Sequence, residues 1–190
     1  MAPAQDRAAP ADDNDDAEGF DAFYLATFKR TFAAAYRMSA GNHDVAEEAT
    51  QEAYVALWLR WPQRRQLPMN ANLKYVIGIA SHKVVDRYRS QDAKRTVPDE
   101  VDGPADEPTP ADALGELAVL RAVRDLLEGQ SSRRRAVGML YFLEGWEQAE
   151  IAEALGMAAS TVRTHVQRLR VLLKPLIHRI NDLDSGGDHR

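Results

Sequence analysis

Segment 147–170 restricts the fold of this chain more than any other part of the sequence. Its apolar residues have the spacing of two short helices: Ile151, Ala152, Leu155, Val162 and Val166. Residues four apart share one face of an α-helix, so each group forms a face that needs a packing partner. Gly156 lies between the groups, and glycine adopts a left-handed turn without a steric penalty. The segment therefore predicts a helix-turn-helix.

The second helix of this segment, predicted to begin near residue 159, has polar and basic residues opposite its apolar ones. A DNA-recognition helix needs this division, because its apolar face fixes it to the scaffold while polar side chains near its N-terminus reach base edges and phosphates. The predicted DNA-contacting residues are Ser160, Arg163, Thr164, His165, Gln167 and Arg168. The alternative is a plain helical hairpin with solvated charges.

The net charge of −5 argues against nucleic-acid binding, but the charge is unevenly distributed. Residues 23–95 carry a net charge of +6 and residues 119–190 carry +2, whereas residues 1–22 carry −6 and residues 96–118 carry −7. Nucleic acid responds to the local field within a Debye length of about 8–10 Å. The two basic blocks therefore remain candidates for nucleic-acid binding.

Helical periodicity dominates both basic blocks, and no segment shows the alternation of a strand. We predict an all-α fold of two small helical domains, residues 19–95 and 113–178, of which the second contains the helix-turn-helix. Residues 96–112 are acidic and proline-rich and are predicted to form a flexible linker. Residues 1–18 are predicted to be a disordered acidic tail and residues 179–190 a flexible tail.

In the first block, helices are predicted over residues 20–38 and 44–61, and another after the loop 62–70. The first has an aromatic residue at every fourth position. Asp44 is the predicted N-cap of the second helix, and Pro62 is expected to end it.

In the second block, helices are predicted over residues 111–128, 132–143 and 159–178, in addition to the first helix of the helix-turn-helix. Gly129 and Gly145 are the predicted breaks between them.

Several functional classes lack any support in the sequence. The chain has no cysteine, which excludes disulfides and thiolate metal sites. It has no glycine-rich phosphate loop and no zinc-protease motif, and its five histidines are scattered. We expect no enzymatic activity, metal, cofactor or small-molecule substrate. Without a signal peptide or an apolar run of about 20 residues, we expect a soluble, cytoplasmic protein that does not insert into a membrane.

Two segments of the first block resemble the extracytoplasmic-function (ECF) sigma factors of bacterial RNA polymerase. VAEEATQEAYVALWLRW, residues 45–61, is similar to the family pattern A-E-D-L-V-Q-E-x-F-x-x-x-W. The identical residues are Ala46, Glu47, Gln51, Glu52 and Trp58. YVIGIASHKVVDRYR, residues 75–89, is similar to the pattern W-L-x-x-I-A-R-N-x-x-x-D-x-x-R. The identical residues are Ile79, Ala80, Asp86 and Arg89.

The helix-turn-helix also follows a pattern of this family, E-I-A-x-x-L-G-x-x-x-x-T-V-x-x-x-x-x-R. The residues in register are Glu150, Ile151, Ala152, Leu155, Gly156, Thr161, Val162 and Arg168. The stretch TVRTHVQRL equally resembles the recognition helix of LuxR-type regulators. The ordered pair of blocks favours the sigma factors, whereas a stand-alone helix-turn-helix regulator that binds duplex DNA without polymerase is the alternative.

The resemblance implies a division of roles. In the family, the helix with the D-L-V-Q-E stretch docks on the largest polymerase subunits, which maps to Glu47, Glu48, Gln51 and Glu52. The following loop and helix melt and read the promoter −10 element as a single strand. The corresponding residues are Arg64, Arg65, Asn70, Asn72, Lys74, Tyr75, His82, Lys83 and Arg87. The helix-turn-helix would read the −35 element as duplex.

The partners implied by the resemblance are core RNA polymerase and promoter DNA. Members of the family commonly pair with an anti-sigma factor that masks the polymerase-docking surface, so such a partner is a further expectation. Each predicted domain is small and only modestly basic. We therefore expect that docking on polymerase, which would hold both domains at a fixed spacing, turns two weak DNA contacts into one strong one.

Overall fold

The computed structural model describes residues 13–92 and 115–185, and every regular element in these ranges is a helix. The N-terminal half contains α1 (Asp13–Met38), α2 (His43–Trp58), α3 (Trp61–Arg64) and α4 (Met69–Asp92). The C-terminal half contains α5 (Gly115–Glu128), α6 (Ser132–Gly138), a π-helical turn (Met139–Leu143), α7 (Gln148–Leu155) and α8 (Ala159–Ser185). The predicted all-α class is confirmed. The predicted linker, residues 96–112, lies outside the described residues.

Helix α1 is buried mainly through Phe23, Thr27, Thr31, Ala34 and Met38, and the aromatic row that its sequence predicts lies beside this face, partly buried. Its aromatic residues at every fourth position form a row of neighbouring rings along the helix: Phe20, Tyr24, Phe28, Phe32 and Tyr36. Tyr54 of α2 packs against this row, and its buried hydroxyl forms hydrogen bonds with Thr27 and Thr31 of α1. Burial raises the pKa of Tyr54, so this hydroxyl stays protonated.

The N-cap of α2 differs from the predicted residue. Asn42 has extended backbone angles, and its side-chain oxygen accepts a hydrogen bond from the Val45 N–H at 3.1 Å. Asp44 instead lies in the first turn, where its negative charge is favourable near the helix N-terminus. The helix ends at Trp58, before Pro62, which occupies the first turn of α3, where its missing N–H costs nothing.

The predicted helix-turn-helix is confirmed as α7 and α8. Gly156 ends α7 in the left-handed conformation, with φ of 59° and ψ of 38°. At the other end of α7, Glu147 and Glu150 form a capping box, in which the Glu150 carboxylate accepts the Glu147 N–H at 2.9 Å. Ile151 and Leu155 of α7 and Val162 of α8 are buried, as their spacing predicts.

The two halves of the chain pack against each other, and they share one continuous hydrophobic core. Helix α4 lies at the centre, with α1 and α2 on one side and α6 and α7 on the other. The sequence predicts two domains but gives no sign of this contact, because each half has its own apolar pattern. Among the described residues, no helix is long and apolar enough to cross a bilayer.

We expect Gly156→Ala to lower the free energy of unfolding by about 1–2 kcal/mol, because a Cβ atom is unfavourable in the left-handed conformation. The space itself is open, since a Cβ atom added at Gly156 would have His82 Cε1 as its nearest neighbour, at 3.7 Å. Chemical denaturation followed by circular dichroism measures the change. Gly129→Ala is the matched control, because a Cβ there meets ordinary contacts at 3.6 Å and longer. Equal changes in the free energy of unfolding for the two substitutions would contradict the left-handed conformation of Gly156.

Candidate polymerase- and DNA-binding surfaces

The predicted polymerase-docking residues Glu47, Glu48, Gln51 and Glu52 all lie on the exposed side of α2. Val55 and Trp58 continue this face, with exposed fractions of 60% and 44%. Neither of these two residues was among the predicted docking residues. The signal was present in the sequence, because they follow Gln51 by four and seven residues and so share its helical face. We call the exposed residues 47, 48, 51, 52, 55 and 58 the α2 face.

Two carboxylates of the α2 face are paired with cations of α4 that were predicted from the sequence to contact DNA. Lys83 forms a salt bridge with Glu52, and Arg87 lies 4.0 Å from Glu48. The hydrogen bond that Lys83 donates to the Glu52 carboxylate raises the pKa of Lys83, so this side chain is charged at neutral pH. The acidic and basic surfaces therefore meet at the junction of α2 and α4.

Arg64, Asn72 and Tyr75 form a compact cluster at the start of α4. The Arg64 side chain donates from Nε to Asn72 Oδ1 at 3.0 Å, and Asn72 Nδ2 donates to the Arg64 carbonyl oxygen at 3.0 Å. The guanidinium lies over the Tyr75 ring, 3.9 Å from its centre. Asn72 is only 2% exposed, so in this conformation it holds the loop rather than reaching a ligand. Asn70 is exposed.

An open pocket of about 370 Å³ lies next to this cluster. Residues of α1, α3, the following loop and α4 line it, among them Phe23, Trp61, Arg65, Leu67 and Asn72. The Trp61 Nε1 atom is buried and has no hydrogen-bond acceptor within the described part of the chain. The pocket thus combines aromatic surface with a cation.

Two other predicted −10 residues lie between the halves of the chain. The Lys74 ammonium is 2.7 Å and 2.9 Å from the two carboxylate oxygens of Glu150 in α7. Lys74 is the main cause of the lowered pKa of Glu150. His82 pairs with Asp86 at 2.9 Å and lies beside the turn at Gly156.

The recognition helix α8 exposes most of the residues predicted to contact the −35 element. Ser160, Arg163, Thr164, Gln167 and Arg168 are exposed. The predicted outward position of His165 is wrong, because its side chain is 8% exposed. His165 follows Val162 by three residues and precedes Leu169 by four, so it lies on the buried face of α8.

No metal centre is formed in residues 13–92 and 115–185, where no three histidine or carboxylate side chains converge. The site residues therefore make up two kinds of surface. One is the α2 face, and the other consists of basic and aromatic groups on α3, α4 and α8.

The chain is similar to known sigma factors. Residues 120–173 match the model of Sigma-70, region 4. ECF RNA polymerase sigma factor SigE of Mycolicibacterium smegmatis is 27% identical over 146 residues, which cover 76% of this chain and 56% of the relative. ECF RNA polymerase sigma factor SigG of Mycobacterium tuberculosis is 27% identical over 186 residues, which cover 84% of this chain and 49% of the relative. The chain spans about half the length of these curated relatives.

The fold is also similar to that of a solved sigma factor. The sigma factor RpoE of Bartonella quintana, in complex with the anti-sigma factor NepR, matches with a TM-score of 0.56 over 84% of this chain and 96% of that one. The sequence identity is 20%, so the likeness concerns the fold. The family match places residues 120–173, which include the helix-turn-helix, in the class of sigma-70 region 4. Within this class, both curated relatives are ECF sigma factors, in agreement with the resemblance on which the prediction was based.

The cluster around Asn72 can be tested with a pair of asparagine substitutions. We expect Asn72→Ala to lower the free energy of unfolding by roughly 1–3 kcal/mol, because it leaves buried polar groups of Arg64 without their partner. Asn70→Ala, at an exposed position, should change it by less than about 0.5 kcal/mol. Urea denaturation of both variants measures the difference. An unchanged midpoint for Asn72→Ala would contradict the structural role.

Proposed function

We propose that this chain binds core RNA polymerase and directs it to promoters, reading the −10 element as a melted strand and the −35 element as duplex. The observation that carries the proposal is the junction of α2 and α4, where an exposed acidic and apolar face adjoins a row of cations. Such a junction would let one small domain contact a protein with α2 and DNA with α4. The role is to bind and position, and the chemistry of RNA synthesis belongs to the polymerase.

The α2 face has the features of a protein-binding surface. Its carboxylates are exposed around Trp58, and an aromatic anchor surrounded by polar groups is typical of interface hot spots. We therefore assign polymerase docking to Glu47, Glu48, Gln51 and Glu52, and add Val55 and Trp58. RpoE of Bartonella quintana was solved with an anti-sigma factor. A comparable partner of this chain would act by covering the same face.

The −10 strand would bind along α3, the adjacent loop and α4. Arg64, Lys74, Lys83 and Arg87 supply positive charge for phosphates. The pocket beside Trp61 has the apolar and hydrogen-bonding groups that an unstacked base requires. The reading of the −10 bases would also involve other residues of the loop and of α4: Arg65, Asn70, Tyr75 and His82. Asn72 would act by holding Arg64 in place.

The −35 element would be read by the first two turns of α8. Arg163, Thr164, Gln167 and Arg168 are exposed there, and Ser160 lies at the N-terminus of the helix. Arginine and glutamine side chains can read guanine and adenine in the major groove. His165 would support the helix from its buried side. A protein that acts on polymerase and the chromosome works in the cytoplasm.

Run-off transcription with purified core polymerase and a library of host promoter fragments tests the proposal. We expect start sites that arise only when the protein is added. Arg163→Ala should reduce these transcripts roughly 5- to 100-fold at limiting protein, because one base-reading side chain contributes about 1–3 kcal/mol. Lys174→Ala is the matched control, since it removes an exposed cation three turns further along α8. Duplex binding without polymerase, together with no specific start site, would favour the stand-alone regulator instead.

The docking surface has its own test. We expect Trp58→Ala to weaken binding to core polymerase roughly 10- to 30-fold, because it removes the aromatic anchor of the α2 face. Leu25→Ala is the control, since Leu25 is 78% exposed and lies on α1, outside this face. Titration of labelled protein with core polymerase measures both affinities. If the two variants bind core polymerase with equal affinity, the α2 face is not part of the interface.

A further inference from the structure

We propose that Thr164 of α8 recognises thymine in duplex DNA through its methyl group, which contacts the 5-methyl group of the base, and not through its hydroxyl. This inference rests on the proposed function of α8 as the reader of the −35 element. It adds the base that one side chain reads and the chemical group through which it does so.

The hydroxyl of Thr164 is already bound within α8. Its Oγ1 atom donates a hydrogen bond to the carbonyl oxygen of Ser160, one turn earlier, at 3.0 Å. A threonine hydroxyl has a single proton to donate, and inside a helix the carbonyl four residues before is a usual acceptor for it. Phosphate oxygens, guanine N7 and O6, and thymine O4 are all acceptors. The hydroxyl of Thr164 therefore has no proton left to donate to any of them.

Thr164 lies near the middle of the exposed face of α8. Ser160, Gln167 and Arg168 are three or four residues away from it on the same face, and all three are exposed. The opposite side of the helix is buried in the core. When the N-terminal turns of a recognition helix enter the major groove, the residues in the middle of its exposed face come closest to the base edges.

The side chain of Thr164 is short, whereas those of Arg163, Gln167 and Arg168 around it are long. A long side chain reaches a base edge from the border of the face, but a short one meets a base only where the helix backbone is close to it. Because the hydroxyl is bound to the Ser160 carbonyl, the methyl group is the part of this side chain left for such a contact. Thymine is the base that presents a methyl group in the major groove, and a threonine methyl group can pack against it.

This contact complements the other base-reading side chains of α8. Arginine and glutamine recognise guanine and adenine by hydrogen bonds, and an apolar contact adds the recognition of thymine. The alternative role of Thr164 is to accept a hydrogen bond from the amino group of adenine or cytosine with the lone pairs of its hydroxyl. Substitutions that separate the methyl group from the hydroxyl distinguish the two roles.

Uracil substitution in the promoter tests the methyl contact, because uracil differs from thymine only by the missing 5-methyl group. Each thymine of the −35 element found by run-off transcription is replaced in turn by uracil, on either strand. Transcription is then measured with core polymerase at limiting protein. We expect replacement of one thymine to lower transcription about 3- to 5-fold, as the loss of one buried methyl group implies.

Two substitutions identify the group of Thr164 that reads this thymine. Thr164→Ser keeps the hydroxyl and removes the methyl group, so its transcription should be the same with thymine and with uracil. Thr164→Val keeps a methyl group and removes the hydroxyl, so it should retain the decrease on uracil. A uracil effect that persists in Thr164→Ser, or that is lost in Thr164→Val, would overturn the proposal. The absence of any uracil effect in the wild type would also overturn it.

Thr161→Ser is the matched control, since Thr161 is exposed on α8 and is not one of the residues predicted to contact bases. It loses the same methyl group and should leave the uracil effect unchanged. Thr164→Ser should also keep the salt dependence of the wild type, because a methyl contact neutralises no phosphate. Loss of the uracil effect in Thr161→Ser, or a changed salt dependence in Thr164→Ser, would contradict the assignment of thymine recognition to the Thr164 methyl group.

The same series separates this proposal from the proposed function. Specific start sites without the expected uracil pattern would support the proposed function and overturn the role of Thr164. If the protein gives no specific start site but binds duplex DNA without polymerase, the proposed function is contradicted, and the uracil series measured on that binding decides the role of Thr164. If neither transcription nor duplex binding is found, both proposals are wrong.

Discussion

The packing of α4 on two sides is the constraint on which the rest of the structure depends. Val76, Ile77, Ala80, Val84 and Val85 of this helix are each at most 3% exposed. They fill the space between α1 and α2 on one side and α6 and α7 on the other. The cations of α4 therefore contact both halves of the chain. Lys83 and Arg87 pair with α2, whereas Lys74, on the other side of the helix, pairs with α7.

Opposite charges are matched locally, so a chain with a net charge of −5 still carries basic surfaces. Glu52 and Glu48 pair with cations of α4 within the N-terminal half, and Glu150 pairs with Lys74 across the two halves. Exposed pairs of this kind contribute little to stability, about 0–1 kcal/mol each. They can therefore be exchanged for contacts with another molecule at low energetic cost.

Some details of the site were predictable from the sequence, and others were not. Gly156, the α7 and α8 helices and the exposed face of α2 follow from spacing, because helical periodicity is a local property. His165 could have been placed correctly from its distance to Val162 and Leu169, although it was predicted to lie with the polar residues of the outer face. The burial of Asn72 depends on Arg64, eight residues earlier, and the cap at Asn42 depends on backbone angles that several neighbouring residues could have adopted.

The sequence by itself determined the helices, the helix-turn-helix and the resemblance to sigma factors, since these depend on residues close together in the chain. The tertiary structure alone decided which charged groups pair and which surface is covered. Lys74 and Glu150 are 76 residues apart, and Glu144 is 114 residues from Arg30, so no local pattern predicts either contact. In the sequence, Gly78 is a glycine inside a helical pattern, with no visible reason for its position. Its packing role follows only from the structure, in which Trp146 and α7 lie against it.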